Sequence, residues 1–318
     1  MTRPAVAVIG ECMVEVSLAK SASGLSASSL AANLSFGGDV LNTAVYLSRL
    51  GCGVDFVSAV GDDKISDWLV DQWQQEGVGC DLIERMPNQS PGMYMISTDA
   101  SGERSFSYWR DSSPARKVFD DPEKAEALFA QLGTYSWLYF TGITLAILPA
   151  QARESLLRFV DRYRAAGGKV AFDSNFRPRL WPDRALAKDV FNAVYERTDL
   201  ALLTIEDEVD LFGAGSLDQH VARLQGSGIA ELVLKQGPEG CEIILANQRL
   251  NVPAQKVRPV DTTSAGDAFN AGYLAQRIAG KTPEQAAQVA HRLAAVVIQH
   301  PGAIVPKAVT EALEFGSA

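Results

Sequence analysis

The chain has 318 residues, a net charge of −9 and a hydrophobic fraction of 47%. A chain of this length buries about three quarters of its unfolded surface, enough for one large core with an appendage. Its basic residues are scattered rather than clustered, which argues against binding to nucleic acid or an anionic membrane. We therefore expect a single domain over residues 1–318 that acts on small molecules.

The four cysteines, at positions 12, 52, 80 and 241, lack the paired spacing of metal sites. The first residues lack the charged start and apolar core of a signal peptide. The longest apolar stretches are well short of the roughly 20 residues that a membrane helix needs. These features predict a soluble protein in the reducing environment of the cytoplasm.

Short apolar runs alternate with amphipathic segments along most of the chain. Buried strands are predicted at residues 5–9, 54–60, 137–140, 169–172, 200–203 and 232–234. Helices are predicted at residues 39–50, 65–75, 150–166, 185–195, 217–225 and 266–278. This alternation indicates an α/β fold with a doubly wound, mainly parallel sheet flanked by helices. Ligands of such a sheet bind at the carboxyl ends of its strands.

Two regions break the alternation and have the pattern of β-hairpins. They cover about residues 12–36 and 81–110, and in the second the runs 92–97 and 104–109 flank a turn at 99–102. We expect their strands to form a small sheet that projects from the core.

The stretch DTTSAGDAFNAG, at residues 261–272, carries the strongest chemical signal. The small residues Ser264, Ala265 and Gly266 open a predicted helix, where backbone N–H groups and the helix dipole favour an anion such as phosphate. Asp267 falls in the first turn, where a carboxylate could accept a proton from an attacking hydroxyl. The alternative is an ordinary helix start, because Asp and Ser are favoured there for structural reasons.

This stretch resembles the carboxy-terminal signature of the PfkB, or ribokinase-like, carbohydrate kinases. FGGDVLNTA at residues 36–44 resembles the sugar-binding segment of that family, and VLKQGPEG at 233–240 resembles its nucleotide-side strand and turn. The three motifs follow the order of the family and span nearly the whole chain. On these motifs the chain is identified as a member.

The resemblance implies a ribokinase-like fold whose small sheet is a lid over a sugar. It also implies phosphoryl transfer from ATP with Mg²⁺, with Asp267 as general base and the amides of Ala265, Gly266 and Asp267 holding the phosphoryl charge. The implied sugar-binding residues are Gly38, Asp39, Asn42, Tyr94, Tyr108, Arg110 and Arg177. The implied nucleotide-side residues are Asn175, Lys235, Gly237, Gly240, Ser264, Ala265 and Gly266.

The arginines at 110 and 177 point to an acidic sugar, because a guanidinium pairs bidentately with a carboxylate. The segments GGDVLNTAVYLSRLG, YWRDSSPAR, TGITLAIL and DSNFRPRLW resemble family members that convert 2-dehydro-3-deoxy-D-gluconate to its 6-phosphate. Three alternatives stay open: both arginines are surface or phosphate-side residues, the acceptor is fructose or ribose, or the protein is a sugar-acid sensor without catalysis. The sequence leaves open whether the acid derives from gluconate or galactonate.

Two positions depart from the family pattern. Thr204 replaces an Asn in an acidic motif that bears on magnesium, so Glu208, or Glu206, is the candidate to order metal-bound water. Ser264 stands where the family commonly has Gly, and the anion pocket then needs backbone dihedrals that suit a side chain. Members of the family also often bind a monovalent cation such as K⁺, and the resemblance implies a site for it near the Asp261 loop. An exposed apolar face on the lid would favour a homodimer in which the lids pair.

Overall fold

The computed structural model describes residues 5–18, 31–98 and 104–313. Its strands are β1 (Val6–Ile9), β2 (Met13–Leu18), β3 (Ala32–Gly37), β4 (Val54–Gly61), β5 (Ile83–Met86), β6 (Met93–Thr98), β7 (Arg104–Trp109), β8 (Trp137–Thr141), β9 (Lys169–Asp173), β10 (Leu200–Thr204), β11 (Glu231–Lys235), β12 (Cys241–Leu245) and β13 (Gln248–Val252). Its helices are α1 (Asp39–Arg49), α2 (Lys64–Gln75), α3 (Pro122–Leu132), α4 (Gly142–Ile147), α5 (Ala150–Ala165), α6 (Arg184–Tyr195), α7 (Ile205–Phe212), α8 (Leu217–Gln225), α9 (Ala265–Ile278), α10 (Pro283–Val297) and α11 (Lys307–Glu311).

The larger sheet has nine strands in the order β13-β12-β11-β10-β9-β8-β1-β4-β5. Its strands run parallel from β11 to β5, and β12 and β13 continue it as an antiparallel hairpin. From β1 the chain first extends the sheet on one side, through β4 and β5, and then builds the other side from β8 onward. This reversal creates a switch point, and ligands bind beside such a point at the carboxyl ends of the strands.

The predicted α/β fold is confirmed, and so are the predicted regular elements. The six predicted strands are β1, β4, β8, β9, β10 and β11, and the six predicted helices are α1, α2, α5, α6, α8 and α9. They were predictable because both faces of the central strands are covered, so each strand is an apolar run. In β1, Val6 and Val8 pack in the core on one face, and Ala7 and Ile9 pack in the core on the other.

The smaller sheet, which we call the lid sheet, has four strands in the order β3-β2-β6-β7. Strands β2 and β3 form one antiparallel pair, β6 and β7 form another, and β2 lies parallel to β6. Ile83–Met86, inside the range expected to supply this sheet, instead pairs with β4 at the edge of the larger sheet. The turn predicted at 99–102 lies outside the described residues. In the described part of the chain, no helix has both the length and the apolar character for crossing a bilayer.

Candidate active site

Asp267 lies in the first turn of α9 and is buried, with 9% of its surface exposed. Asn42, on α1, donates a hydrogen bond of 2.8 Å from Nδ2 to Asp267 Oδ2. Burial, and next the negative charge of Asp39, raise the pKa of Asp267 to about 7. A carboxyl group with this pKa exchanges its proton near neutral pH, which suits a general base.

The turn before α9 leads directly into backbone N–H groups next to Asp267. The Ala265 N–H donates to the Thr262 carbonyl oxygen at 3.2 Å and so closes the turn. Gly266 and Asp267 follow at the start of the helix, where N–H groups lack an intrahelical acceptor. Together with the helix dipole, these two amides can bind an anion, and we call residues 262–267 the anion turn.

Ser264, the residue before α9, has φ of 64° and ψ of 12°. This left-handed conformation favours glycine, and it costs a residue with a side chain about 1–2 kcal/mol. Serine at this position therefore adopts a left-handed conformation that glycine would adopt without strain. The anion turn keeps its shape at the expense of local strain.

Asp39 begins α1 and faces the ends of two strands of the larger sheet. Its Oδ2 accepts hydrogen bonds from Thr141 Oγ1 at 2.6 Å and from Asn175 Nδ2 at 2.9 Å. Burial raises the pKa of Asp39, while the Thr141 hydrogen bond opposes that shift. Gly38, which precedes it, has no room for a side chain because a Cβ would collide with the carbonyl oxygen of Glu11. These contacts hold the Asp39 carboxylate at the carboxyl ends of β8 and β9.

Lys235 ends β11 and brings a positive charge beside the anion turn. Its Nζ donates to Asp173 Oδ1 at 3.1 Å and to Asn270 Oδ1 at 2.9 Å. A Cβ on Gly266 would lie 3.6 Å from the same Nζ. The ammonium group is therefore held by neighbours from β9 and α9, close to where an anion would meet the Gly266 amide.

These groups line a cavity of about 440 Å³ that the lid sheet covers on one side. Tyr94 and Tyr108, paired across β6 and β7, lie on its lid wall with ring centroids 6.0 Å apart. The predicted residues that line it are Gly38, Asp39, Asn42, Tyr94, Tyr108, Asn175, Arg177, Lys235, Ser264, Ala265, Gly266 and Asp267. The cavity thus brings together the buried carboxyl group of Asp267, the anion turn and the polar side chains of Asp39 and Asn42, and the aromatic rings of the lid sheet cover them.

The model of the pfkB family carbohydrate kinases matches residues 3–310 of the chain. The protein belongs to the PfkB family. A 2-dehydro-3-deoxygluconokinase from Dickeya dadantii is 42% identical over 314 residues, which cover 96% of this chain and 98% of that protein. The protein of the same name from Escherichia coli is 42% identical, over 95% of this chain and 97% of its own.

Two solved structures show the same fold. A putative ribokinase II from Escherichia coli in complex with ATP and Mg²⁺ superimposes with a TM-score of 0.82. It is 23% identical, and the alignment covers 94% of each chain. The PfkB protein from Polaromonas sp. JS666 also has a TM-score of 0.82, at 24% identity, over 97% of this chain and 99% of that chain.

Arg110 and Arg177, both expected at the sugar of this PfkB protein, lie in different surroundings. Arg177 is on the cavity wall with 55% of its side chain exposed, and it lies 4.0 Å from Asp207 Oδ1. Arg110 is 8% exposed, donates to Glu11 Oε2, and is not among the residues that line the cavity in the described part of the chain. The two arginines were expected to bind the same ligand, but the structure gives them different surroundings.

Glu208, the candidate to order metal-bound water, does not face the cavity. It is fully buried, where it accepts hydrogen bonds from Tyr195 and Arg223. Burial raises its pKa to about 7. The carboxylate of this acidic cluster that does line the cavity is Asp207, whose Oδ2 accepts from Ser174 Oγ at 2.7 Å. Successive helical residues point about 100° apart, so adjacent acids cannot share one direction.

Gly237 and Gly240, expected on the nucleotide side, lie in the turn that follows β11 and outside the cavity wall as the described residues define it. Both have positive φ, of 53° and 108°. At Gly240 a Cβ would collide with the Val252 carbonyl oxygen, so the close packing of the 252–254 segment also requires glycine. Around Gly237 there is open space.

Several site residues were not predicted from the sequence. Asp173 and Thr204 lie at the ends of neighbouring strands and line the cavity, and Asn270 lies one helical turn after Asp267. Buried polar residues at carboxyl strand ends were the available signal, because that edge binds ligands in parallel sheets. Glu11 gave no signal, since its partner Arg110 is 99 residues away in the sequence.

Proposed function

We propose that this protein transfers the γ-phosphoryl group of ATP to 2-dehydro-3-deoxy-D-gluconate and forms the 6-phosphate. The full-length relatives of that name, 42% identical, support the substrate. The observation that carries the mechanism is the buried Asp267 carboxyl, whose pKa is about 7, beside the anion turn of α9.

In this mechanism Asp267 accepts the proton of the sugar hydroxyl as its oxygen bonds to the γ-phosphorus. The bond from that phosphorus to the ADP oxygen breaks at the same centre, and ADP leaves with the electron pair. Asn42 holds the carboxylate in place through its 2.8 Å hydrogen bond. A positioned base of this kind contributes about 10²–10⁴ in rate.

The amides of Gly266 and Asp267, with Ala265 closing the turn, would stabilise the negative charge of the phosphoryl oxygens. Lys235 supports them with a buried positive charge. We place the nucleotide on this side of the cavity, with Asn175, Ser264, Gly237 and Gly240 shaping its surroundings.

Sugar binding uses the opposite part of the cavity. Gly38, Asp39 and Asn42 would bind the hydroxyl groups from below, and Tyr94 and Tyr108 would cover the sugar from the lid sheet. Arg177, exposed on the cavity wall, would pair with the sugar carboxylate. Arg110, paired with Glu11, would hold the base of the lid sheet in place and would not contact the sugar.

We propose Mg²⁺ as the metal that accompanies ATP. Mg²⁺ retains several waters and binds through a few carboxylates together with phosphate oxygens. Asp207 supplies such a carboxylate on the cavity wall, and a cation nearby would favour its charged form against the rise in pKa that burial causes. When bound, the metal would neutralise phosphate charge; Asp207 would order its water in place of Glu208.

A K⁺ ion near the Asp261 loop is the second cation that we propose. Asp261 Oδ1 accepts from the Thr263 amide at 3.1 Å, and Oδ2 accepts from the Gly302 amide at 2.9 Å. The carboxylate thereby ties the turn before α9 to the segment after α10. A monovalent cation bound there would stabilise the anion turn, and its test is the dependence of the rate on K⁺ with Na⁺ replacing it at constant ionic strength.

We further propose a homodimer in which the lid sheets pair. Two large apolar side chains of the lid lie outside the cavity wall, as the described residues define it, and are exposed: Leu34 at 51% and Trp109 at 53%. Exposed apolar groups concentrated on one small sheet are typical of an interaction surface. A cytoplasmic location is part of the same proposal, because ATP and free cysteine thiols are maintained there.

The function is tested with purified protein, ATP and Mg²⁺. We expect the highest kcat/KM on 2-dehydro-3-deoxy-D-gluconate, compared with the galactonate-derived epimer, fructose and ribose. Phosphorus NMR of the product should place the phosphate on O6. Preference for a neutral sugar would refute the substrate, and sugar-acid binding without ATP consumption would support a sensor.

A fructose kinase is the second candidate. A fructokinase from Vibrio alginolyticus is 30% identical over 75% of each chain. With Arg110 paired to Glu11, the cavity presents fewer positive charges than the sequence alone indicated. The same substrate comparison separates the candidates, because fructose has no carboxylate for Arg177.

A further inference from the structure

Four chain connections join the lid sheet to the rest of the protein, and they converge on Glu11. Glu11 itself lies between β1 and β2. Gly38 follows β3, Gly92 precedes β6, and Arg110 follows β7. A single side chain and its backbone thus lie at the base of every lid strand.

The contacts at this base are close. A Cβ on Gly38 would collide with the Glu11 carbonyl oxygen, and a Cβ on Gly92 would lie 2.8 Å from Glu11 Oε1. Arg110 donates from its guanidinium to Glu11 Oε2. The Gly92 carbonyl oxygen also accepts from the Val14 amide of β2 at 2.8 Å. Movement of the Glu11 carboxylate would therefore displace the ends of β6 and β7.

The ion pair is almost completely shielded from water, with Glu11 3% exposed and Arg110 8% exposed. Burying two charges costs solvation free energy that their attraction does not fully restore, so such a pair is a poor means of stabilising a fold. What it does provide is a fixed position for Arg110, the residue that directly follows β7, because its guanidinium donates a hydrogen bond to Glu11 Oε2. The cavity lies next to this ion pair in the sequence and in space. Asp39 follows Gly38 and lines the cavity, and Tyr108, two residues before Arg110, lines it too.

We propose that Glu11 is a positioning residue for sugar binding. Its ion pair with Arg110 holds the base of the lid so that Tyr94 and Tyr108 meet the sugar above Asp39 and Asn42. In the described part of the chain Glu11 is not a residue of the cavity wall, so it acts through the lid. This inference rests on the proposed function of the lid sheet.

The first test measures the lid without any enzymatic assay. Glu11→Gln keeps the size of the side chain and removes its charge. Amide hydrogen exchange in β2 and β6 should become at least about tenfold faster, because local opening no longer breaks an ion pair. The matched control is Glu231→Gln, which removes a partly buried ion pair with Arg277 at the start of β11, outside the lid sheet. The control should leave exchange in β2 and β6 unchanged.

The second test measures the two substrates separately, with the sugar that the wild type phosphorylates best. Glu11→Gln should raise the KM for that sugar about tenfold or more, because a misplaced lid weakens sugar contacts. The KM for ATP should change less than about twofold, since the nucleotide contacts lie on the other side. Glu231→Gln should change neither value.

A milder variant covers the case in which Glu11→Gln does not fold. Gly92→Ala presses a methyl group against Glu11 Oε1 and should raise the sugar KM in the same direction, by a smaller factor. Unchanged exchange in β2 and β6 would overturn the proposal, and so would faster exchange with an unchanged sugar KM. Because exchange needs no substrate, a wrong assignment of the sugar would leave this test intact.

Discussion

Asn42 on α1 and Asp267 on α9 are 225 residues apart in the sequence, and a hydrogen bond of 2.8 Å joins their side chains. The contact links the segment that we propose binds the sugar to the anion turn, at the point where phosphoryl transfer would occur. It also lowers the pKa of Asp267, against the upward effects of burial and of Asp39. The balance of these effects keeps the carboxyl group titratable near neutral pH.

Replacing the base is the most direct test of this arrangement. Asp267→Asn preserves the shape of the side chain but cannot accept a proton, so kcat should fall at least about a hundredfold. Steady-state kinetics should show the KM values for sugar and ATP nearly unchanged. A variant that retains wild-type turnover would remove Asp267 from the reaction.

The rate should depend on pH through the same group. Asp267 is active as the carboxylate, so kcat/KM should rise as the pH rises through about 7. Asn42→Ala removes a hydrogen bond that favours the charged form and should move this midpoint to higher pH. A midpoint that stays in place in the variant would mean that another group controls the profile.

Asp267 should also make stability depend on pH. Its pKa is higher in the folded protein than the ordinary 3.8, so its contribution is complete below that value and is lost as the pH rises through about 7. Asp267→Asn does not ionise, so its Tm relative to the wild type should be higher at about pH 8 than at about pH 5. Thermal unfolding at both pH values measures the difference, and an equal offset at both would contradict the prediction.

Ser264→Gly should relieve the left-handed strain before α9. We expect the free energy of unfolding to rise by about 0.5–1 kcal/mol, because the strain removed exceeds the added entropy of the unfolded chain. Urea denaturation measures this change. Ser264→Ala is the control, since alanine keeps the Cβ and should not stabilise. Loss of stability in the glycine variant would show that the serine side chain is required.

Arg177→Ala tests recognition of the sugar carboxylate. Loss of one charged contact at a half-exposed position should raise the KM for the sugar acid about tenfold. The control is Arg179→Ala, an exposed arginine two residues along the chain. If Arg177→Ala and Arg179→Ala behave alike, the carboxylate is bound elsewhere.

Trp109→Asp tests the proposed homodimer. A charge on the exposed lid surface should oppose pairing of two lid sheets, so light scattering after gel filtration should show the wild type as a dimer and the variant as a monomer. A wild-type protein that is monomeric at all concentrations would refute the proposal.

The sequence by itself determined the α/β fold, the central strands and the anion turn before α9. These features depend on local properties: apolar runs form strands that are buried on both faces, and small residues with an acid open a helix. The hairpin of β12 and β13 and the helix α10 were not predicted.

Only the tertiary structure decided which side chains face one another. It separated Arg110, paired with Glu11, from Arg177 on the cavity wall, and it placed Asp207 rather than Glu208 at the cavity. No local pattern records these outcomes, because a side chain's neighbours come from the packing of segments far apart in the chain. Burial and charge, which set the pKa of Asp267, likewise exist only once those segments meet.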